Sequence, residues 1–292
     1  MPPTKPEIIA DYACVTGEGP CWHPMEQHLY WLDIPQGRIF RYDPATGHHE
    51  ICHQDDEAIG GITVQADGAL LLFMARGAVR RWRDGALETI IAGIPEERDS
   101  RFNDVIADPE GRVFCGTMPT EDQLGRLYRL DPDGTLTQLL DAVDISNGMG
   151  FSPDLRQFYY TETGQRTITR FDYDRSTGAL SNRRIFANIP AGEGVPDGLA
   201  VDAAGHVWSA RWNGSRLVRY TPDGDEERRI TFPAKQVSSV TFGGPDLTDI
   251  YVTTAGGDNK AKNGPGAGAL FHLNLGIPGR PAFFSRVKIE LD

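Results

Sequence analysis

Glu18, Asn103, Asn147 and Asp197 are the residues of this chain best placed to act together. Each opens a short apolar segment that runs into a turn. The segments read GEGPCWHP from Gly17, GGITVQADG from Gly60, NDVIADPEG from Asn103, NGMGFSPDL from Asn147, DGLAVDAAG from Asp197 and SSVTFGGPDL from Ser238. Aligned on the turn residues Pro24, Gly68, Pro109, Pro153 and Gly205, their leading positions hold Glu18, Gly60, Asn103, Asn147 and Asp197, with Ser238 or Ser239 in the last copy. Brought to one point, this column would offer two carboxylates and two carboxamides. Two carboxylates held close together repel, and one keeps its proton unless a cation sits between them. A donor set made of oxygen suits Ca²⁺, Mg²⁺ or Mn²⁺. The absence of His and Cys from the column speaks against a structural zinc site, while an open Zn²⁺ or Fe²⁺ site with oxygen and water ligands stays compatible.

Such a column works only if the chain folds so that equivalent positions meet. The second segment of each unit is LYWLDI, ALLLFMA, RVFCGTM, QFYYTET, HVWSARW or DIYVTTA. The third alternates apolar and polar residues, as in RIFRYDPATG, GRLYRLDPDG and RLVRYTPDG, which is the signature of a strand with one buried face. Most third segments end in Asp-Pro, Asp-Gly or Thr-Gly turns. The period of about 45 residues is that of a propeller blade with four strands. Six units fill the chain, and ring closure hides sheet edges. The expected fold is therefore all-β: a six-bladed β-propeller of four-stranded antiparallel blades around a central channel, with residues 1–292 forming a single domain. The innermost strand of each blade then starts at one mouth of the channel, where Glu18, Asn103, Asn147 and Asp197 converge. Either EIIADYAC near the N-terminus or the tail AFFSRVKIE completes the last blade.

Further polar residues surround that mouth. Arg101 and Asn103 lie in SRFNDVIADP, and Glu121 lies in the loop that leaves FCGTM. A guanidinium fork clamps oxygens and a carboxylate accepts from hydroxyls, which together suit a polyhydroxylated, uncharged ligand. Asp104 directly follows Asn103 and is expected to point off the axis. Trp22 and Trp212 are expected to pack between blades. No nucleophile elbow or P-loop is present, and the seven His residues are scattered. A formal net charge of −12 argues against a nucleic-acid partner. No apolar run reaches the length of a membrane span. MPPTKPEII lacks a signal-peptide core, and Cys14, Cys21, Cys52 and Cys115 form no CxxC pair, so a cytoplasmic protein with reduced thiols is expected, as a monomer.

TGEGP around Glu18, RFND at Arg101–Asp104, GTM at Gly116–Met118, DISNGM around Asn147, the stretch from Phe171 to Arg184, and PDG at Pro196–Gly198 resemble, in order, the motifs of the regucalcin (senescence marker protein) and gluconolactonase family. The resemblance covers nearly the whole chain. It implies one catalytic divalent metal and hydrolysis of a sugar lactone to its aldonic acid. It assigns the metal to Glu18, Asn147 and Asp197, and the substrate to Arg101, Asn103 and Glu121. The implied chemistry uses the cation as a Lewis acid on the lactone carbonyl and an activated water as nucleophile, with Asp197 as the general base. PTEDQLGRL, the loop that would cap the site, is shorter than in animal members. Two other readings keep part of this pattern: a metal-dependent esterase or phosphotriesterase propeller, and a non-enzymatic calcium-binding or scaffold propeller. The first would favour a deeper aromatic pocket. The second has no need of an open metal.

Overall fold

A computed structural model describes residues 3–288. Its strands form six four-stranded antiparallel sheets, five of them meanders of consecutive strands and the sixth completed by the N-terminal strand. Blade 1 comprises Gly17–His23, His28–Asp33, Arg38–Tyr42 and His49–Gln54. The innermost strands of blades 2 to 6 are Ile59–Val64, Phe102–Ala107, Ser146–Phe151, Val195–Val201 and Gln236–Gly243. Each packs against the innermost strands of both neighbours, so the ring is closed as expected. The fold is a six-bladed β-propeller.

Apolar alternation explains how the blades adhere. Each inter-blade interface holds its own core. Tyr30, Leu32 and Ile39 of blade 1 meet Ile62, Leu70 and Leu72 of blade 2. Phe114 of blade 3 meets Phe151 and Phe158 of blade 4. Trp208 of blade 5 meets Phe242 and Phe271 of blade 6. Across the seam, Trp22 and Trp31 of blade 1 pack with Tyr251 and Leu270 of blade 6. The expectation for Trp22 therefore holds, its ring lying 6.2 Å from that of Tyr251. Trp212 belongs to none of these cores and is only half-buried, at the end of Val207–Trp212.

The N-terminal segment completes the last blade. Glu7–Asp11 pairs antiparallel with Ala269–Asn274, Glu7 opposite His272 and Asp11 opposite Ala269. The tail has another course. It crosses the mouth opposite the column, where Gly279 N–H donates to Leu247 O, Ser285 N–H to Val64 O and Arg286 N–H to Gly111 O. Arg280 Nη1 donates to Phe151 O and Ser152 O, both at 3.0 Å. Arg280–Phe283 thus forms the floor of an axial cavity walled by the six inner strands. Ile289 and Glu290 of the proposed tail strand lie outside the described residues.

Six strands converging on one axis leave little room for side chains. A methyl group added to Gly60 would lie 1.8 Å from Phe102 O, and one added to Gly148 would lie 2.3 Å from the Leu199 nitrogen. The gap in the column at Gly60 is therefore imposed by backbone packing, whatever the ligand. Overpacking of this kind costs about 1–3 kcal/mol. Gly60→Ala should lower the urea midpoint of unfolding accordingly, and an unchanged midpoint would contradict this packing.

Candidate active site at the channel mouth

Each inner strand carries an irregularity where it reaches the mouth. In blades 3, 4 and 5 the ladder skips from Phe102 to Val105, from Ser146 to Met149 and from Pro196 to Leu199. Asn103–Asp104, Asn147–Gly148 and Asp197–Gly198 fall inside these bulges, which turn side chains out of the regular pleat. Blade 1 differs. Glu18 keeps its ladder place opposite Leu32, and its bulge falls on Gly19–Pro20. Glu18 thus sits one position earlier than the turn alignment implied, because Pro24 directly follows its strand whereas Pro109 and Pro153 lie one residue further into their turns. Its longer side chain nevertheless brings its carboxyl into the field of Asp197.

The local scaffold fixes each strand start. Asp33, buried, accepts from Thr16 N–H at 3.0 Å and Val15 N–H at 3.2 Å, holding the approach to Glu18. Glu18 Oε2 accepts from Gly19 N–H at 2.7 Å. Ahead of Arg101, the 3₁₀ turn Pro95–Glu97 is pinned by fully buried Glu97, whose Oε1 accepts from Arg126 Nη1 and Tyr128 Oη, both at 2.8 Å. Ser100 Oγ donates to Met118 O at 2.6 Å. Nothing in the periodicity of the sequence marked Asp33 or Glu97 as supports of the site.

One hydrogen-bond chain links three blades. Arg101 Nη1 donates to Asn103 Oδ1 at 2.7 Å and to Phe102 O at 2.9 Å. Asn103 Nδ2 donates to Ser146 O at 2.8 Å and to Asn147 Oδ1 at 3.1 Å. Asn147 Nδ2 donates to Thr163 Oγ1 at 2.9 Å, and Thr163 Oγ1 donates to Pro196 O at 2.8 Å, immediately before Asp197.

The electrostatics show that the carboxyls share one field. Burial, with Asp104 as the next contribution, raises the Glu18 carboxyl to about 8. Burial, then Glu18, then Asp104 raises Asp197 well above the usual carboxylate range. Burial raises Asp104 to about 6. Burial also lowers the Arg101 guanidinium to about 10, against the pull of Glu18 and Asp197. The expectation that Asp104 points off the axis is corrected. It lines the axial cavity, and its charge reaches both Glu18 and Asp197. The alternation rule assigned it to the opposite face, and the bulge breaks that rule.

The structure therefore brings together Glu18, Arg101, Asn103, Asn147 and Asp197, and adds Asp104. It does not bring Glu121 to them. Glu121 is exposed in the turn between Val113–Thr117 and Gly125–Leu130, with no hydrogen bond or ion pair to Arg101 or Asn103 among the described residues. Among the described residues, no three His, Cys, Asp or Glu side chains form a ready-made metal cage. The donor set at the axis is of a different kind: two carboxylates and a carboxamide, with a third carboxylate beneath. Two buried acids, Glu18 and Asp197, and the half-buried Asp104 face one half-buried guanidinium and are short of positive charge, a deficit that a divalent cation fits.

Comparisons with known proteins identify the family and the fold. Residues 16–256 match the family described as the SMP-30/Gluconolactonase/LRE-like region. The pentonolactonase XacC of Haloferax volcanii is 51% identical over 288 residues, covering 96% of this chain and 98% of its own. A calcium-binding regucalcin from Agrobacterium tumefaciens superposes with a TM-score of 0.88 at 27% identity, over 96% of this chain and 97% of its own. A gluconolactonase from Xanthomonas campestris superposes with a TM-score of 0.77 at 26% identity, over 94% of this chain and 89% of its own. No helix among the described residues is long and apolar enough to cross a membrane. All four cysteines are free.

A carboxyl that ionises less readily when folded contributes stability while protonated. That contribution is lost as pH rises from its unfolded value, about 4, through its folded value. For Asp104 the window runs from about pH 4 to about pH 6 and for Glu18 to about pH 8, and Asp197 acts in the same direction. Chelator-treated protein should unfold at lower urea at pH 8 than at pH 5.5, and Glu18→Gln should flatten the dependence. A midpoint that stays level or rises with pH in the wild type would contradict the shared field.

Proposed function

The chain belongs to the SMP-30/gluconolactonase/LRE-like family, and from that membership we propose that it hydrolyses sugar lactones to aldonic acids with the help of one divalent cation. The observation that carries this reading is the meeting of Glu18, Asp197, Asn147, Asn103 and Arg101 at one mouth of the propeller channel. The relative at 51% identity acts, by name, on pentonolactones, which makes a five-carbon aldonolactone the first substrate to test.

Glu18, Asn147 and Asp197 hold the cation in this proposal, and Ca²⁺, Zn²⁺, Mn²⁺, Mg²⁺ and Fe²⁺ all accept such donors. When bound, the cation polarises the lactone carbonyl and offsets the charge of the carboxylates. Asp197 is the general base: its carboxylate takes a proton from the attacking water and returns it to the ring oxygen that leaves. Lactone and water thereby become one hydroxy acid. Arg101 presents its guanidinium to the sugar hydroxyls, and Asn103, already held by Arg101, offers its carboxamide beside them. Glu121 reaches the sugar from the exposed turn as a hydroxyl acceptor. These contacts contribute through positioning.

Asp197→Asn should lower kcat by about 10²–10⁴-fold and leave the fold intact. The assay is acid release at constant pH from arabinono-, xylono-, galactono- and gluconolactone, with a phosphotriester in parallel. Turnover within twofold of wild type would refute the role of Asp197. Hydrolysis of the phosphotriester but of none of the lactones would refute the substrate class. Arg101→Ala should raise KM more than Glu121→Gln, because Arg101 belongs to the hydrogen-bonded cluster at the mouth and Glu121 does not; the reverse order would contradict this division.

A further inference from the structure

Thr163 took no part in the sequence-level picture, and its position in the site is specific. It lies just past Gln157–Glu162, the second strand of blade 4, and is buried. Its hydroxyl accepts from Asn147 Nδ2 at 2.9 Å and donates its single proton to Pro196 O at 2.8 Å. Both directions of that bond are therefore fixed. A carboxamide has one donating and one accepting end. With Nδ2 tied to Thr163, the Asn147 carboxamide must present Oδ1 to the other side, where Asn103 Nδ2 meets it. Turned over, Oδ1 would face a hydroxyl whose only proton is already given to Pro196 O, and the buried Nδ2 would lose its acceptor. An unpaired buried donor is destabilising.

Pro196 O belongs to the residue preceding Asp197. One hydroxyl thus joins the Asn147 side chain of blade 4 to the backbone that carries Asp197 in blade 5. We propose that Thr163 is a positioning residue for the cation site. It fixes which end of the Asn147 carboxamide faces the axis and ties the Asn147 and Asp197 donors to one another across the blade interface. This rests on the reading of Asn147 and Asp197 as cation ligands. Thr163 touches neither the cation nor the substrate and acts through Asn147. Hydrogen-bond partners of metal ligands are worth about 10–100-fold in affinity.

The test is Mn²⁺ binding to chelator-stripped, dialysed protein by titration calorimetry, for wild type, Thr163→Val and Thr163→Ser. Valine keeps the shape and removes the hydroxyl; serine keeps the hydroxyl. Expected is a loss of about 10–100-fold in Mn²⁺ affinity for valine and near wild-type affinity for serine. Melting of each protein in chelator separates this from a general loss of packing: a lower Mn²⁺ affinity in a variant that melts like the wild type supports the proposal. Equal Mn²⁺ affinity in wild type and Thr163→Val would overturn the proposal and leave the cation reading standing. Equal loss in the valine and serine variants would also overturn it. A wild-type protein that takes up no Mn²⁺ would overturn both the cation reading and the role of Thr163.

Discussion

Negative charge collected on an axis where backbone leaves little room is the constraint on which the rest of this structure turns. Glu18, Asp104 and Asp197 are drawn out of water by the convergence of six inner strands, and each becomes reluctant to ionise. Arg101 is the cation that shares their surroundings, and burial weakens even its hold on a proton. Buried charge of this kind is costly unless it is compensated. A chain gains nothing in stability by gathering three acids there. The arrangement makes sense as a socket for positive charge brought from outside, and the carboxamides of Asn103 and Asn147, set between the acids by a continuous run of hydrogen bonds, fill the places where a further carboxylate would deepen the repulsion.

The ring explains how a chain with so regular a repeat builds so irregular a site. Inter-blade cores between neighbouring sheets supply the cohesion, and none depends on the residues at the mouth. The bulges at the strand starts then release those residues from the pleat, so each blade can differ there without disturbing its neighbours. Blade 2 must present Gly60, because Phe102 O occupies the space of any side chain. Blades 3, 4 and 5 present amide and acid. Blade 1 reaches the same point from one residue further back, using the longer arm of Glu18. At the opposite mouth the tail forms the floor, with Arg280 fastened to the ends of blade 4.

Blade number, strand order and the column at the mouth were legible in the sequence, because period-two alternation and turn residues recur in every unit. The places of Asn103, Asn147 and Asp197 at the strand starts were legible for the same reason, and Arg101 was read from its place two residues before Asn103. What escaped was whatever the repeat does not encode. Asp104 follows Asn103 and so should have faced away, but a bulge is invisible to an alternation rule. The turn alignment placed Glu18 one residue off, since a proline at a different depth of its turn looks the same in one dimension. Thr163, Asp33 and Glu97 act through partners far along the chain or across blades, and single-residue chemistry gives no sign of such pairings. The seam posed a choice between two strand-like termini that pattern alone left open, and register with Ala269–Asn274 resolved it in favour of Glu7–Asp11.

The acids at the axis and a divalent cation form one functional unit in this proposal. Its most direct measurement is a back-titration: protein stripped by chelator and dialysed, Mn²⁺ added in fractions of an equivalent, and acid release from a pentonolactone followed at each step. Background rate is expected in the stripped protein, followed by a linear rise that breaks to a plateau at one equivalent. Full activity in the stripped protein, or a rate indifferent to added metal, would contradict it.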